Sequence, residues 1–414
     1  MNGTLRILHV APQFGTGKVP FGGHEETYPL GLARAAAGAG VPWTILAPVS
    51  SKVIEPGVVA CLDPTDVGTL MESIDRHLRA LPPEERSTTG VVVYEADTPL
   101  AVALAGLADE HPEVRFLANL FLSETGVDVP VLRRKRYRTQ PEITPYGPDA
   151  LAASLRHLAG VRWPENLRLT AETDVKALLA RSLGMPITGV WRLHSAMAER
   201  ASGIDAPPGS EVGADRDAPL RVLIALRSSH IHPPLIRDVV DVIERVERAG
   251  GAGTITWRAA GRFYDERRVR TAVRQLRRVG VEVEGDDRPL DPDAYARSFL
   301  DADVVWMPAV WPYRVQSSGK ALDAIVLGRP VVAPAGTAAA EEMRRWVPGV
   351  PTYGNPSEAA QLFLRLPSLH GLLRTELARR SATILDTHHP RTTVAWVRDQ
   401  LLGVDDGRAL REHR

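Results

Sequence analysis

A chain of 414 residues exceeds the about 250–300 residues that one hydrophobic core usually sustains, so at least two domains are expected. Its 44% hydrophobic and 24% charged residues belong to a folded globular protein, and 50 Lys+Arg against 50 Asp+Glu leave no global charge to draw it to nucleic acid. The single cysteine, Cys61, excludes an intramolecular disulfide and a cysteine-rich metal site, which leaves a small molecule as the expected partner and a reducing cytoplasm as the expected compartment.

Met1–Arg6 runs directly into an apolar stretch, without the basic start and long apolar core of a signal peptide, and no later segment reaches the about 20 apolar residues of a membrane span. Membrane contact, where there is any, is expected to be peripheral. Leu5–Pro12 reads as a short buried strand closed by proline. A glycine-containing loop, Gln13–Gly23, follows, then a helix over Glu25–Ala39 ended by Gly40 and a second strand over Val41–Pro48. Strand, loop, helix and strand at this spacing predict a parallel α/β sheet with right-handed crossovers. The alternation continues with a helix over Val67–Ala80, a strand over Gly90–Tyr94, a helix over Leu100–Glu110 and a strand over Val114–Leu120. From Arg133 to Thr144 a basic irregular insert (RRKRYRTQPEIT) interrupts it, a solvated loop or an acceptor-binding surface.

The segment Ala206–Pro219 is rich in proline, glycine and charge without an apolar face, and reads as a linker. The expected division is a first domain over 1–205, the linker over 206–219, a second domain over 220–390 and a final helix and tail over 391–414. The second domain starts with a strand over Leu220–Leu226 and an amphipathic helix over Ile236–Ala249. Strands over Thr254–Ala260, Val281–Glu284 and Val304–Pro308 alternate with helices over Glu266–Val279 and Asp293–Ala302. A helix over Gly319–Leu327, a strand over Val331–Pro334 and an amphipathic helix over Arg391–Leu402 complete the pattern. Two successive Rossmann-like halves are predicted.

In open α/β sheets ligands bind beyond the carboxyl ends of the strands, where helix N-termini offer free amides. Gly22-Gly23 lies at such a place after the first strand, and either lets a ligand approach the backbone or forms a simple turn. In the second half Ser317-Ser318-Gly319-Lys320 sets hydroxyls, amides and an ammonium at a helix start, while Arg227 stands at the end of that domain's first strand. Arg227 and Lys320 suit a clamp on the oxygens of an anionic ligand. A structural ion pair for Arg227 and a solvated first-turn lysine for Lys320 are the plainer readings.

The stretch DADVVWMPAVWPYRVQSSGKALDAIVLGRPVVAPAGT resembles the donor-binding region of glycosyltransferase family 4 and its GT-B relatives. There an Ala-Asp strand ends in proline, a polar loop follows, a helix carries Glu-Ala, and Gly-x-Pro-Val-Val closes the motif. Here Asp323-Ala324 stands for Glu-Ala, ahead of Gly328-Arg329-Pro330-Val331-Val332. With Gly22-Gly23, Leu226-Arg227 and the closing helix, the resemblance covers nearly the whole chain. It implies a GT-B fold: two Rossmann-like domains facing across a cleft, with the C-terminal helix returning to the N-terminal domain. It further implies a retaining transferase that moves a sugar from a nucleotide-diphosphate donor to an acceptor hydroxyl, with no protein nucleophile, no metal and no cofactor beyond the donor. Asp323 would accept bonds from ribose hydroxyls, and the Gly22-Gly23 loop would share the active site with Lys320. This sequence departs from the family pattern at Val315, where a glutamate is usual, at His232, where a phosphate-binding lysine is usual, and at Asn119, where a sugar-contacting histidine is usual. His24 is then a further candidate for contact with the transferred sugar or the acceptor. The same fold also admits pseudo-glycosidic coupling, nucleotide-sugar epimerisation or a non-catalytic helper.

Overall fold

The computed structural model describes residues 4–14, 24–53, 55–121, 148–195, 197–201, 218–226, 231, 233–260, 267–285, 290, 292–309, 314 and 316–404. The chain forms two compact units, one from the residues up to Arg192 together with those from Pro390 onward, the other from Leu193–His389.

The first unit is built from β1 (Arg6–Val10), α1 (His24–Gly38), β2 (Trp43–Pro48), β3 (Val58–Leu62), α2 (Val67–Ala80), α3 (Pro83–Arg86), β4 (Thr89–Ala96), α4 (Thr98–Glu110), β5 (Arg115–Leu120), α5 (Pro148–Ala159), β6 (Leu167–Ala171), α6 (Asp174–Ser182) and β7 (Ile187–Val190). The strands form one sheet in the order β3-β2-β1-β4-β5-β6-β7, every neighbouring pair parallel. Apolar runs such as Ile45–Ala47 and Val91–Val93 are buried on both faces, as a parallel sheet covered by helices requires. Helix starts are set by side-chain caps: Asp66 and Thr69 form a reciprocal capping box on α2, and Asp97 Oδ1 accepts the Leu100 amide at 3.0 Å on α4.

The second unit comprises α7 (Ala198–Ala201), β8 (Leu220–Ile224), α8 (Pro233–Val246), β9 (Ile255–Ala260), α9 (Arg267–Arg278), β10 (Glu282–Glu284), α10 (Pro292–Leu300), β11 (Val304–Trp306), α11 (Gly319–Val326), β12 (Val331–Val332), α12 (Ala338–Trp346), α13 (Pro356–Arg379) and α14 (Ser381–Thr387). Its parallel sheet runs β10-β9-β8-β11-β12. Trp257, Trp306 and Phe363 meet edge-on or tilted at 4.8–5.7 Å between centroids and anchor its core. Helix α8 gives way to a π-turn over Glu247–Gly251, where Gly250 takes φ 86°, a left-handed conformation that costs glycine little.

The final helix, α15 (Pro390–Leu402), packs on α1 and β5 of the first unit, burying Val394, Val397 and Leu401. The first unit makes room for it with glycine: a Cβ on Gly90 would lie 2.6 Å from Leu401 Cδ1, and one on Gly189 would lie 3.0 Å from Trp396 Cζ2. Two details differ from the sequence expectation. The unit boundary falls between Arg192 and Leu193, ahead of the segment read as linker, because Met197, Ala198 and Ala201 join the second unit's core. And β3, α3, α5, β6, α6, β7, α7, α12, α13 and α14 are elements that the sequence expectation lacks.

Candidate functional site

In each sheet the strand order reverses once, between β1 and β4 in the first unit and between β8 and β11 in the second. At such a reversal the connections leave to opposite faces and open a crevice at the carboxyl edge, the usual place for a ligand in doubly wound folds. In the second unit that crevice is bounded by the residues after β8 and by the start of α11. Ser318, extended at φ −119° and ψ 113°, caps α11, its Oγ accepting the Ala321 amide at 3.4 Å. Lys320, in the first helical turn, donates from Nζ to the Leu226 carbonyl at 2.6 Å. The ammonium therefore ties the first turn of α11 to the carboxyl end of β8, at Leu226, the residue before Arg227. Ser317 Oγ is buried without a hydrogen-bond partner among the described residues. Hydroxyl, helix-end amides and ammonium converge here, a donor set suited to anionic oxygens.

Asp323 lies one turn further along α11 and is 4% exposed. Its Oδ1 accepts the Ser195 hydroxyl at 2.6 Å and its Oδ2 the Tyr295 hydroxyl at 2.9 Å. Ser195 in turn accepts the Met197 amide at 3.0 Å and donates its own amide to the His388 carbonyl at 3.0 Å. His388, 1% exposed, reaches the Leu193 carbonyl through Nδ1 at 3.1 Å and Glu342 Oε1 through Nε2 at 3.2 Å. These bonds fasten the first residues of the second unit and its last to α11 and α12. The carboxylate expected to face a ribose is thus turned inward, holding protein hydroxyls.

At the carboxyl edge of the first sheet, Asn119 is fully buried; its Nδ2 donates to the Tyr94 carbonyl at 2.9 Å and its Oδ1 accepts from Thr170 at 3.3 Å. Its amide ties β4, β5 and β6 together, so contact with a sugar would require giving up these bonds. Beside it, fully buried Lys176 pairs with Glu172 at 3.0 Å and sits 5.8 Å from the Phe121 ring centroid. Tyr94 stacks on Tyr28 at 4.3 Å, and Trp191 Nε1 donates to the Tyr28 hydroxyl at 2.8 Å. Burial, reinforced by Tyr28, Glu172 and Glu95, pushes the Tyr94 hydroxyl well above the usual phenol range.

Of the residues singled out in the sequence, Ser317, Ser318, Gly319 and Lys320 come together at the β8/β11 reversal, with Asp323 behind them. His24 opens α1, and nothing is described of its side chain. Gly22, Gly23, Arg227, His232, Val315 and the 133–144 insert lie outside the described residues. Sequence reading passed over Ser195, Tyr295, Glu172 and Lys176. The last two carried a signal: a Thr173 cap with an acid and a lysine spaced i,i+4 just after a short apolar strand. Among the described residues no three His, Cys, Asp or Glu side chains converge as metal ligands, and no helix is long and apolar enough to cross a membrane.

No protein-family model matches this sequence, and no curated protein matches it. Solved structures do. The α,α-trehalose 6-phosphate synthase of Burkholderia multivorans is 12% identical with a TM-score of 0.59, over 100% of this chain and 99% of that one. A trehalose-6-phosphate structure from E. coli bound with UDP-2-fluoro glucose is 12% identical with a TM-score of 0.56, over 96% and 98%. A putative UDP-N-acetylglucosamine 2-epimerase from Listeria monocytogenes is 12% identical with a TM-score of 0.53, over 97% and 98%. Together with the two parallel sheets and the returning helix, these matches over whole chains identify the GT-B fold. The narrower resemblance to family 4 is matched by no family model.

Proposed function

We propose that this chain is a nucleotide-sugar-dependent glycosyltransferase whose donor diphosphate lies against the first turn of α11. The observation that carries this reading is the Lys320 ammonium, held by the Leu226 carbonyl at the mouth of the β8/β11 reversal. An ammonium has three donors, and the carbonyl orients it while the helix amides and Ser317 supply neutral donors beside it. Charge that grows on a leaving diphosphate is stabilised by such groups without reorganisation, which makes the chemistry mainly electrostatic and positional. Arg227, next after Leu226, is the second cation of the proposed clamp, with His232 as a weaker phosphate contact near its ordinary pKa of about 6.5. His24 and the Gly22-Gly23 loop are proposed for the sugar or the acceptor. The trehalose-phosphate synthases that share this fold support transfer of a sugar from a nucleotide donor, with retention as the finer reading. The epimerase-like neighbour supports a second reading, isomerisation of the nucleotide sugar itself.

The test incubates the purified chain with UDP-, GDP-, ADP- and dTDP-sugars and follows donor turnover and nucleotide affinity. Lys320→Ala is expected to weaken nucleoside-diphosphate binding by about 1.5–3 kcal/mol while leaving nucleoside binding unchanged, provided the variant keeps its thermal midpoint. Equal losses for nucleoside and diphosphate would remove Lys320 from the clamp. An isomerised sugar nucleotide would select the epimerase reading, and a folded chain that binds no nucleotide sugar would refute both.

A further inference from the structure

Helix α9 has the sequence RRVRTAVRQLRR, six arginines among 12 residues with no acidic residue. Val269, Ala272 and Leu276 are buried, and all six arginines are exposed. At about 100° per residue, Arg267, Arg270, Arg274, Arg277 and Arg278 fall within an arc of about 100° opposite the buried face, a stripe about 17 Å long. Arg267, Arg274, Arg277 and Arg278 have no carboxylate within ion-pair distance among the described residues. Of the acids on neighbouring elements, Asp241 of α8 pairs with Arg245 and Glu284 of β10 with Arg258, while exposed Asp238, Glu244 and Glu282 form no ion pair with α9 among the described residues. The pairs Arg270–Arg274 and Arg274–Arg278 are like charges at i,i+4, a spacing that destabilises the helix. The unit tolerates repulsion that an anionic partner would relieve.

An apolar cavity of about 360 Å³ opens between α8 and α9 at the start of this stripe, walled by Ile231, Pro233, Ile236 and Ala272, with Arg267 and Arg268 also lining it. Anion-binding guanidinium groups beside an apolar hollow suit an amphiphile. Single-stranded nucleic acid would want stacking aromatic rings, of which α9 has none, and a protein partner would want exposed apolar anchors, also lacking on this helix. A fluid bilayer can set a phosphate opposite each arginine whatever their spacing. We propose that the α9 stripe is the face by which this chain rests on an anionic lipid surface, as a peripheral and electrostatic contact. The stripe does not depend on the glycosyltransferase reading, whereas the cavity borders that site, since Ile231 and Pro233 flank His232.

Flotation with phosphatidylcholine vesicles, with and without phosphatidylglycerol, tests it on the full chain. Binding is expected only to the anionic vesicles and to fall with salt. R274E/R277E/R278E should weaken it by at least about a hundredfold, at about fivefold per arginine lost. The milder R274Q/R277Q/R278Q, with an unchanged melting point, should show the same direction. A short-chain anionic lipid should raise the melting point more than inorganic phosphate, because only the lipid reaches the cavity wall. Equal binding to neutral vesicles, unchanged binding by both variants, or binding to duplex DNA without binding to vesicles would overturn the proposal.

Discussion

Acidification is expected to destabilise the first unit in part through one buried side chain, His9. It sits in β1, an interior strand of the sheet between β2 and β4, 1% exposed, with its ring edge-on to Trp43 at 5.7 Å and 82°. Nδ1 has no hydrogen-bond partner among the described residues. With nothing to offset the loss of solvation, burial lowers its pKa from 6.5 to about 4. The folded state therefore holds His9 neutral where the unfolded chain has already taken up a proton. Stability is full above pH 6.5, declines as pH falls from 6.5 to about 4, and levels off below that, where both states are protonated. At 1.36 kcal/mol per pH unit the loss is about 3 kcal/mol over this window, a large share of the 5–15 kcal/mol that holds a typical domain. The assay is urea unfolding between neutral pH and about 4 for the wild type and for His9→Leu, an apolar replacement that cannot titrate. His77, Asp63 and Asp75, whose pKa values are also lowered, act on both proteins, so the difference between the two curves isolates His9. Parallel curves, or a His9 proton resonance that titrates near 6.5, would refute the reasoning.

Two further outcomes follow from the first unit. Lys176→Met removes the buried partner of Glu172 and should cost about 3–5 kcal/mol in urea unfolding, most of it recovered by adding Glu172→Leu, since the penalty lies in the uncompensated charge. Gly90→Val should drive into Leu401 of α15 and cost about 1–3 kcal/mol, and Leu401→Ala in the same background should return part of that if the contact is the cause.

How much of the fold can be read from residues alone depends on how local the determinants are. Helix α2 was legible over its whole length because Asp66 and Thr69 cap it and Leu70, Ile74 and Leu78 repeat on one face. The strands β1 and β4 were legible as apolar runs, and β8 and β9 by the buried Leu220, Val222–Ile224, Ile255, Trp257 and Ala259 despite exposed Arg221 and Thr256. Strand β3 (VVACL) was not, because it edges the sheet with Val59 38% exposed, and its apolar letters match no buried face. Helix α13 hides its period: Leu372 points to solvent at 63% exposure, Arg374 is buried at 8%, and Pro367 stands mid-helix. The division of the two units lies ahead of the proline- and glycine-rich segment for a similar reason, since composition marks a linker whereas Met197 and Ala198 join the second unit by packing.

At the site, local chemistry sufficed for the cap and the cation, and failed for the carboxylate. Ser318 followed by glycine and lysine announces a helix start, and Lys320 escapes the unfavourable end of the dipole by reaching the Leu226 carbonyl. Asp323 is three residues on, about 4.5 Å further down the helix, with a side chain one methylene shorter than the glutamate of the family pattern. At that depth it meets Ser195 and Tyr295, partners 128 and 28 residues distant that no spacing rule connects to it. A carboxylate so held is a poor acceptor for ribose hydroxyls, because each such bond would displace one of its own. Two consequences separate the roles. If Asp323 is a strut, Asp323→Asn should lower the stability of the second unit by about 1.5–3 kcal/mol, the worth of a hydrogen bond to a charged group, while the wild type binds ribo- and deoxyribonucleoside diphosphates nearly alike. If it contacts ribose, the variant should stay as stable as the wild type, and the wild type should prefer the ribonucleotide by about tenfold or more, the ratio that 1.4 kcal/mol commands.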